Sequence, residues 1–146
     1  MPSHEATRVV VERALARVKA YDAEGYADVF ADDGVLEFPF APAGWPTKLE
    51  GRAAILASTR LNFARARDAG RKFTELRPVV HDGADPATAV VELEARVEAS
   101  ATGRSCTLRY VHVYRVREGR VASLRDYFSP DQMREVKALS ASPAVG

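Results

Sequence analysis

The sequence contains one cysteine, Cys106, and one tryptophan, Trp45, in 146 residues. A lone thiol excludes an intramolecular disulfide and any multi-cysteine metal site, and it fits a reducing cytoplasm. A charge excess is also lacking: 21 basic residues stand against 20 acidic ones, for a formal net charge of +1. The basic residues are interspersed rather than gathered into a stripe, so nucleic acid and anionic membranes are not expected partners. No stretch approaches the roughly 20 apolar residues of a membrane span. The N-terminal MPSHEATRVVVERALARVKAYD is charged at every turn and lacks the apolar run of a signal peptide. His4, His81 and His112 lie on separate elements with no ligand spacing, so no metal is expected. The expectation is a soluble cytoplasmic protein.

What is present is ordinary globular material, 47% hydrophobic and 28% charged, at the usual size of one domain. No repeat or linker divides it, so residues 1–146 read as a single domain with its core at about 5–139 and a flexible tail at 140–146. Val11, Leu15 and Val18, with Ala14 and Tyr21 beside them, recur at helical spacing over residues 5–21. Asp22 can cap a second short helix, AEGYADVFADD, anchored by Tyr26 and Phe30. GVLEFPF reads as a short strand with Leu36, Phe38 and Phe40 on one side, and APAGWPTKLEG, rich in proline and glycine, as a loop. A third helix over about residues 52–68 presents Ile55, Thr59 and Phe63 at four-residue spacing, flanked by Leu56 and Asn62.

Beyond Gly70 the period becomes two. RKFTELRPVVHDG, PATAVVELEARVEAS, SCTLRYVHVYRVREG and RVASLRDYFS read as successive strands, and the second alternates Val91, Leu93, Ala95 and Val97 with Glu92, Glu94, Arg96 and Glu98. Ser129, Pro130 and Gln132 spell a helix start with a capping box. Helices followed by a long antiparallel sheet with one apolar face make an α+β protein. A strongly curved sheet wrapped around helices leaves a cone-shaped cavity suited to a small ligand.

The turn in VYRVREGRVAS decides which residues share the inner face. A two-residue Glu118-Gly119 loop sets Asp126 opposite Val111 and turns it outward. A three-residue Arg117-Glu118-Gly119 loop sets His112 opposite Leu124 and Tyr110 opposite Asp126. The tight turn favours Asn or Asp before the glycine, and here Glu stands there, so the three-residue register is expected. It gathers Leu108, Tyr110, Tyr114, Ala122, Leu124 and Phe128 onto one face around His112 and Asp126. The other face then carries Val111, Val113, Val121 and Tyr127 among Arg109, Arg115 and Arg125. An apolar centre with a basic surround suits a sheet-to-sheet homodimer.

The block YDAEGYADVFADDGVLEFPFAPAGWPTKLEGRAAI, followed by a long sheet and YRVREGRVASLRDYFSP, resembles the SnoaL-like branch of the nuclear transport factor 2-like, or ketosteroid isomerase-like, superfamily. The resemblance spans about residues 5 to 132. It implies a curved antiparallel sheet wrapped around helices in a cone-shaped, cystatin-like α+β barrel, a deep apolar pocket and frequent homodimers. It also implies a choice of chemistries, because the family includes polyketide cyclases, isomerases, epoxide hydrolases and dehydratases. Matched to ketosteroid isomerase, Phe38 falls where that enzyme has its general base and Ala14 where it has its oxyanion-hole tyrosine. His112 falls where that enzyme has its protonated aspartate. Two of the three parts are missing, so steroid isomerisation by that route is not expected. The limonene epoxide hydrolases are similar through EGRVASLRDYF, where Asp126 matches a catalytic aspartate. Their Arg-x-Asp falls on Leu93 and Ala95, and only a shift brings Arg96-Val97-Glu98 to it.

Asp126, His112 and Tyr110 are therefore the candidate catalytic residues, as acid or base, its partner, and a hydrogen-bond donor. An apolar pocket disfavours the charged form of a carboxylate and so prepares it for proton transfer, while histidine is poised near neutrality. Phe38, Phe40, Trp45, Phe63, Tyr114, Leu124 and Phe128 are expected to line the substrate pocket, Trp45 as a lid or as simple loop packing. The expected function is cofactor-independent acid–base chemistry on a small apolar oxygenated molecule, as cyclase, isomerase or hydrolase. The alternatives are a limonene-epoxide-hydrolase-like enzyme, a non-catalytic ligand carrier in which Asp126 only orients the ligand, and a pure dimerisation module with a filled pocket.

Overall fold

The computed structural model describes residues 2–141. Within them lie four helices, α1 (His4–Lys19), α2 (Ala23–Asp28), α3 (Arg52–Asp68) and α4 (Pro130–Ala138), and six strands. The strands are β1 (Phe30–Glu37), β2 (Lys48–Glu50), β3 (Arg71–Asp82), β4 (Thr88–Ala99), β5 (Ser105–Arg117) and β6 (Arg120–Phe128). No helix among the described residues is long and apolar enough to cross a membrane. Of the expected tail, residues 142–146 lie outside the described residues, while the Ser140 hydroxyl donates to Ala69 O at 3.0 Å.

The sheet runs β2-β1-β6-β5-β4-β3 and is not closed. Its ladders are antiparallel except that β1 and β6 run parallel. The long sheet after Gly70 is antiparallel as expected; the parallel pairing belongs to β1 alone and follows from where that strand begins. FADD, expected to continue the second helix, is strand: Phe30 pairs with Val121, and Val121 N–H donates to Val29 O at 2.8 Å. Arg52 secures the bend with hydrogen bonds of 3.1 and 2.6 Å to Phe30 O and an ion pair of 2.6 Å to Asp32. The strand stops at Glu37, and past Pro39 the chain turns, with Ala41 N–H donating to Phe38 O. That turn takes Phe40 out of the row of Leu36 and Phe38. The expected loop also contains β2, which pairs with β1.

The helices cover one face of the sheet. Val10, Val11, Ala14 and Leu15 of α1 and Ile55 of α3 meet Val91 and Leu93 of β4, Tyr114 of β5 and Leu124 of β6 in the main core. A second cluster, around Val97, Leu108 and Leu139, fills the end beneath α4. Asp22 caps α2 by accepting from Gly25 N at 2.9 Å, and Ser129 caps α4 by accepting from Asp131 N. Gln132 does not close a capping box. Its Oε1 accepts from Arg109 N at 2.5 Å and its Nε2 donates to Arg109 O at 2.8 Å. The side-chain amide thus extends the ladder on β5 where β6 has already ended, leaving neither backbone group of Arg109 unpaired.

The β5–β6 turn is the tight one. Arg117 pairs with Arg120, and Glu118 and Gly119 both have positive φ, 51° and 74°, as a two-residue hairpin of the mirror-image type requires. The expected three-residue loop is therefore incorrect. Its main consequence survives by another route. Val116 pairs with Val121 but Arg115 pairs with Ser123, so Ala122 is a bulge that shifts the register by one residue. Beyond the bulge His112 lies opposite Asp126, Tyr110 opposite Phe128 and Tyr114 opposite Leu124. Asp126 faces inward, paired with His112 rather than Tyr110. Val121, before the bulge, is completely buried in the core and leaves the proposed outer-face set.

Candidate active site

His112 and Asp126 meet because β5 and β6 place them directly across from one another on the helix-covered face. In an antiparallel pair such residues are the closest side-chain neighbours. His112 Nε2 lies 3.3 Å from Asp126 Oδ1. The approach is not aligned as a hydrogen bond, and both Asp126 Oδ1 and His112 Nδ1 are buried without a hydrogen-bond partner among the described residues. Buried polar atoms are nearly always satisfied, so two orphans on one pair of side chains are unusual. A contact of this kind tightens when a proton moves or a ligand arrives.

Alternation along β5 puts Tyr110 and Tyr114 on the same face as His112, with ring centroids 5.7 and 5.9 Å from the imidazole. Burial, and after it the charge of Asp126, raises both phenols above the ordinary tyrosine value of 10.0. Their hydroxyls therefore stay protonated and can donate. Tyr26 enters from α2 on the helical side and is raised well above 10.0, first by burial, then by Tyr114 and Asp126. Its ring is held edge-on by Phe30 at 5.3 Å. Nothing in the sequence beyond its helical anchor position singles Tyr26 out.

These groups border a cavity of about 160 Å³ between the sheet and α1, α2 and α3. Phe38 and Phe63 line it as expected, with Tyr110, His112, Tyr114 and Asp126. The remaining expected pocket residues do not line it. Leu124 is buried in the core beneath it. Phe40 is 62% exposed and packs its ring on Tyr127 at 5.2 Å. Trp45 stacks on Phe128 at 5.9 Å, with Lys137 Nζ 5.7 Å above its ring, so it covers Phe128 rather than the mouth of the cavity. Phe128 lies between Trp45 and Phe38. Phe40 and Phe128 instead border an open, mostly apolar trough of about 790 Å³ along the outer face of the sheet, whose lining shares Leu93 and Tyr110 with the cavity. Sequence reasoning also missed Asn62, Phe73 and Leu76, which complete the wall on the α3 and β3 side. Among the described residues no three His, Cys, Asp or Glu side chains are placed to hold a metal ion. The Cys106 thiol is half-buried and raised by burial, away from the cavity.

A family model described as the SnoaL-like domain matches residues 11–124. The chain belongs to the SnoaL-like family. An uncharacterized PhzA/B-like protein from Pseudomonas aeruginosa is 34% identical over 136 residues, 93% of this chain and 92% of that one. The crystal structure of a proposed isomerase from Bacillus subtilis superimposes with a TM-score of 0.81 at 25% identity, covering 95% of this chain and 97% of that one. The epoxide hydrolase/cyclase-like enzyme SalBIII, involved in pyran ring formation in the polyether salinomycin, superimposes with a TM-score of 0.68 at 20% identity. That match covers 90% of this chain and 96% of SalBIII and speaks for the fold. The curved, unclosed six-stranded sheet with four helices is thus the cone-shaped fold of SnoaL-like and nuclear transport factor 2-like proteins.

Proposed function

We propose that this SnoaL-like protein is a cofactor-independent enzyme that moves protons on a small apolar oxygenated compound through the His112–Asp126 pair. The observation that carries the reading is the orphaned pair itself: Asp126 Oδ1 stands 3.3 Å from His112 Nε2 at the wall of a largely apolar cavity. A carboxylate held there acts as base. His112 beside it stabilises the ionised form or relays the proton, and the low-dielectric surroundings strengthen both effects. Cyclisation, double-bond isomerisation and ring opening all draw on such a pair.

Benzisoxazole is a suitable first probe, being flat enough to lie between helices and sheet. A base takes the proton from its ring carbon, the N–O bond breaks as the nitrile forms, and a cyanophenolate leaves with a change in absorbance. The Asp126→Asn protein, which keeps the shape of the side chain, is expected to lose at least about tenfold of the elimination rate. An Asp126→Asn protein as active as the wild type, or a wild type that binds benzisoxazole without turnover, would sink the enzymatic reading. The second result would leave a ligand carrier.

We propose further that the outer trough joins two copies of the chain. Its centre is apolar, with Val79, Val111 and Tyr127, and Val79 is 53% and Val111 40% exposed. Acidic Glu92 and Glu94 stand on β4 beside basic Arg109 and Arg115 on β5. A two-fold axis along the strands between β4 and β5 sets the basic column of one copy over the acidic column of the other, and Tyr127 over Val79 of the partner subunit. The face is complementary to itself.

A further inference from the structure

We propose that the substrate is a monocarboxylic acid with one ring, its ring in the cavity and its carboxylate outside, on Arg67 and Arg60 of α3. The inference rests on the reading of the cavity as the reaction site. It goes beyond that reading by naming the class of substrate and the groups that select it.

The cavity sets the first condition. Its volume, about 160 Å³, is close to that of the engineered apolar cavity of ~150 Å³ that takes up benzene. One ring fills it, so any further part of a substrate lies outside. Towards the trough the way is shut, because Leu93 and Tyr110, which border both spaces, are paired in the β4–β5 ladder. On the α3 side the boundary is made of side chains. Asn62 lines the cavity and is exposed, so the cavity opens there. Its neighbour Phe63 is shared with a second depression, of about 420 Å³, between α3 and the corner that joins α1 to α2.

Charge in this depression sets the second condition. Helical spacing turns Arg60, Phe63 and Arg67 to one face of α3, with a guanidinium on either side of the ring. Asp22 is paired with Arg17 at 3.1 Å, and Glu24 with the Nε of Arg60 at 2.7 Å. Arg67 forms no ion pair among the described residues. Its Nη2 donates to Tyr21 O at 2.5 Å, and its guanidinium carbon lies 5.7 Å from the centre of the Tyr21 ring. One positive charge is thus left over, which one carboxylate balances and a doubly charged group exceeds. Arg60 spends only its Nε on Glu24 and keeps its terminal N–H groups for the same anion.

The backbone beneath Arg67 is built for the purpose at a cost. Tyr21 follows the C-cap of α1 with φ of 51°, a left-handed position that glycine ordinarily takes. A tyrosine there packs its ring on Phe63 at 5.3 Å and Phe73 at 5.6 Å, and its hydroxyl donates to Arg71 O at 3.0 Å. The strained residue therefore supplies both the ring that supports Phe63 and the carbonyl that fixes Arg67. The surrounding stretch, residues 60–72, carries five basic residues and the single acid Asp68, which draws an anion to the opening.

The test compares 4-phenylbutyrate with 4-phenylbutanamide, which differ only in charge, by calorimetric titration of the full-length protein. The wild type is expected to bind the acid about threefold to tenfold more tightly than the amide. Arg67→Gln is expected to bring the acid down to the affinity of the amide and to leave the amide unchanged. Arg134→Gln, on α4 and paired with Asp131, is expected to keep the preference. Cross-relaxation between the ring protons of the bound acid and a labelled His112 imidazole places the ring in the cavity. Asp126→Asn is expected to keep the preference for the acid while losing benzisoxazole turnover, so failure of the acid site and failure of the base are read separately. Equal binding of acid and amide, a preference that survives Arg67→Gln or is lost equally in Arg134→Gln, or a bound ring without contact to His112 overturns the proposal.

Discussion

At the scale of residues, the cavity joins one carboxylate to three phenols whose protons it helps to retain. Tyr114 is the most deeply buried of the three, 1% exposed, and its raised phenol links it to stability at alkaline pH. In the unfolded chain the phenol ionises at about its ordinary value of 10.0; in the folded chain it ionises higher. Between those two points the folded state binds more protons than the unfolded state. Stability is therefore complete below the ordinary value and falls as pH rises past it. Tyr114→Phe removes the titration while keeping the ring. The urea midpoint of the variant is expected to fall less steeply than that of the wild type between about pH 9 and about pH 11. Equal slopes would show that the phenol is not held from ionising by its surroundings.

At the scale of elements, the β5–β6 hairpin shows how much a sequence reveals. Strong alternation made β4 plain, and all five inward residues from Val91 to Ala99 are buried. Capping chemistry gave the starts of α2 and α4 through Asp22 and Ser129. The turn was hidden because Glu118 occupies a left-handed position that glutamate rarely takes, with φ of 51°. The bulge at Ala122 was hidden because nothing in RVASLRDYF marks an extra residue. Two unrecognised features offset each other, which is why Asp126 still faces the cavity although its partner is His112. The parallel start of β1 was hidden for a different reason. FADD has no strand alternation, and its pairing to β6 and anchoring by Arg52 are tertiary. The strained position carries its own prediction. Glu118→Asn supplies the residue that a mirror-image turn prefers and is expected to stabilise the protein by about 1 kcal/mol, as a higher thermal midpoint. The turn lies away from the cavity, so benzisoxazole turnover should not change. A lower midpoint would mean that Glu118 makes a compensating contact.

At the scale of the whole molecule, β5 serves two purposes at once. Its even-numbered residues, Tyr110, His112 and Tyr114, face the cavity, and its odd-numbered ones, Arg109 and Val111, face the trough on the other side. The proposed dimer contact lies on the outer face of the sheet and the His112–Asp126 pair on the inner one. Val111 tests this because it pairs with Tyr127 on one side and Glu92 on the other, at the middle of the outer face. A stable interface buries about 800 Å² on each partner and tolerates no unpaired charge at its centre. Wild-type protein is expected to scatter light as a dimer, and Val111→Arg as a monomer with unchanged benzisoxazole turnover per chain. A wild type that is monomeric at all concentrations removes the interface. Monomerisation that also abolishes turnover would show instead that pressure on the outer side of β5 is needed to hold His112 against Asp126.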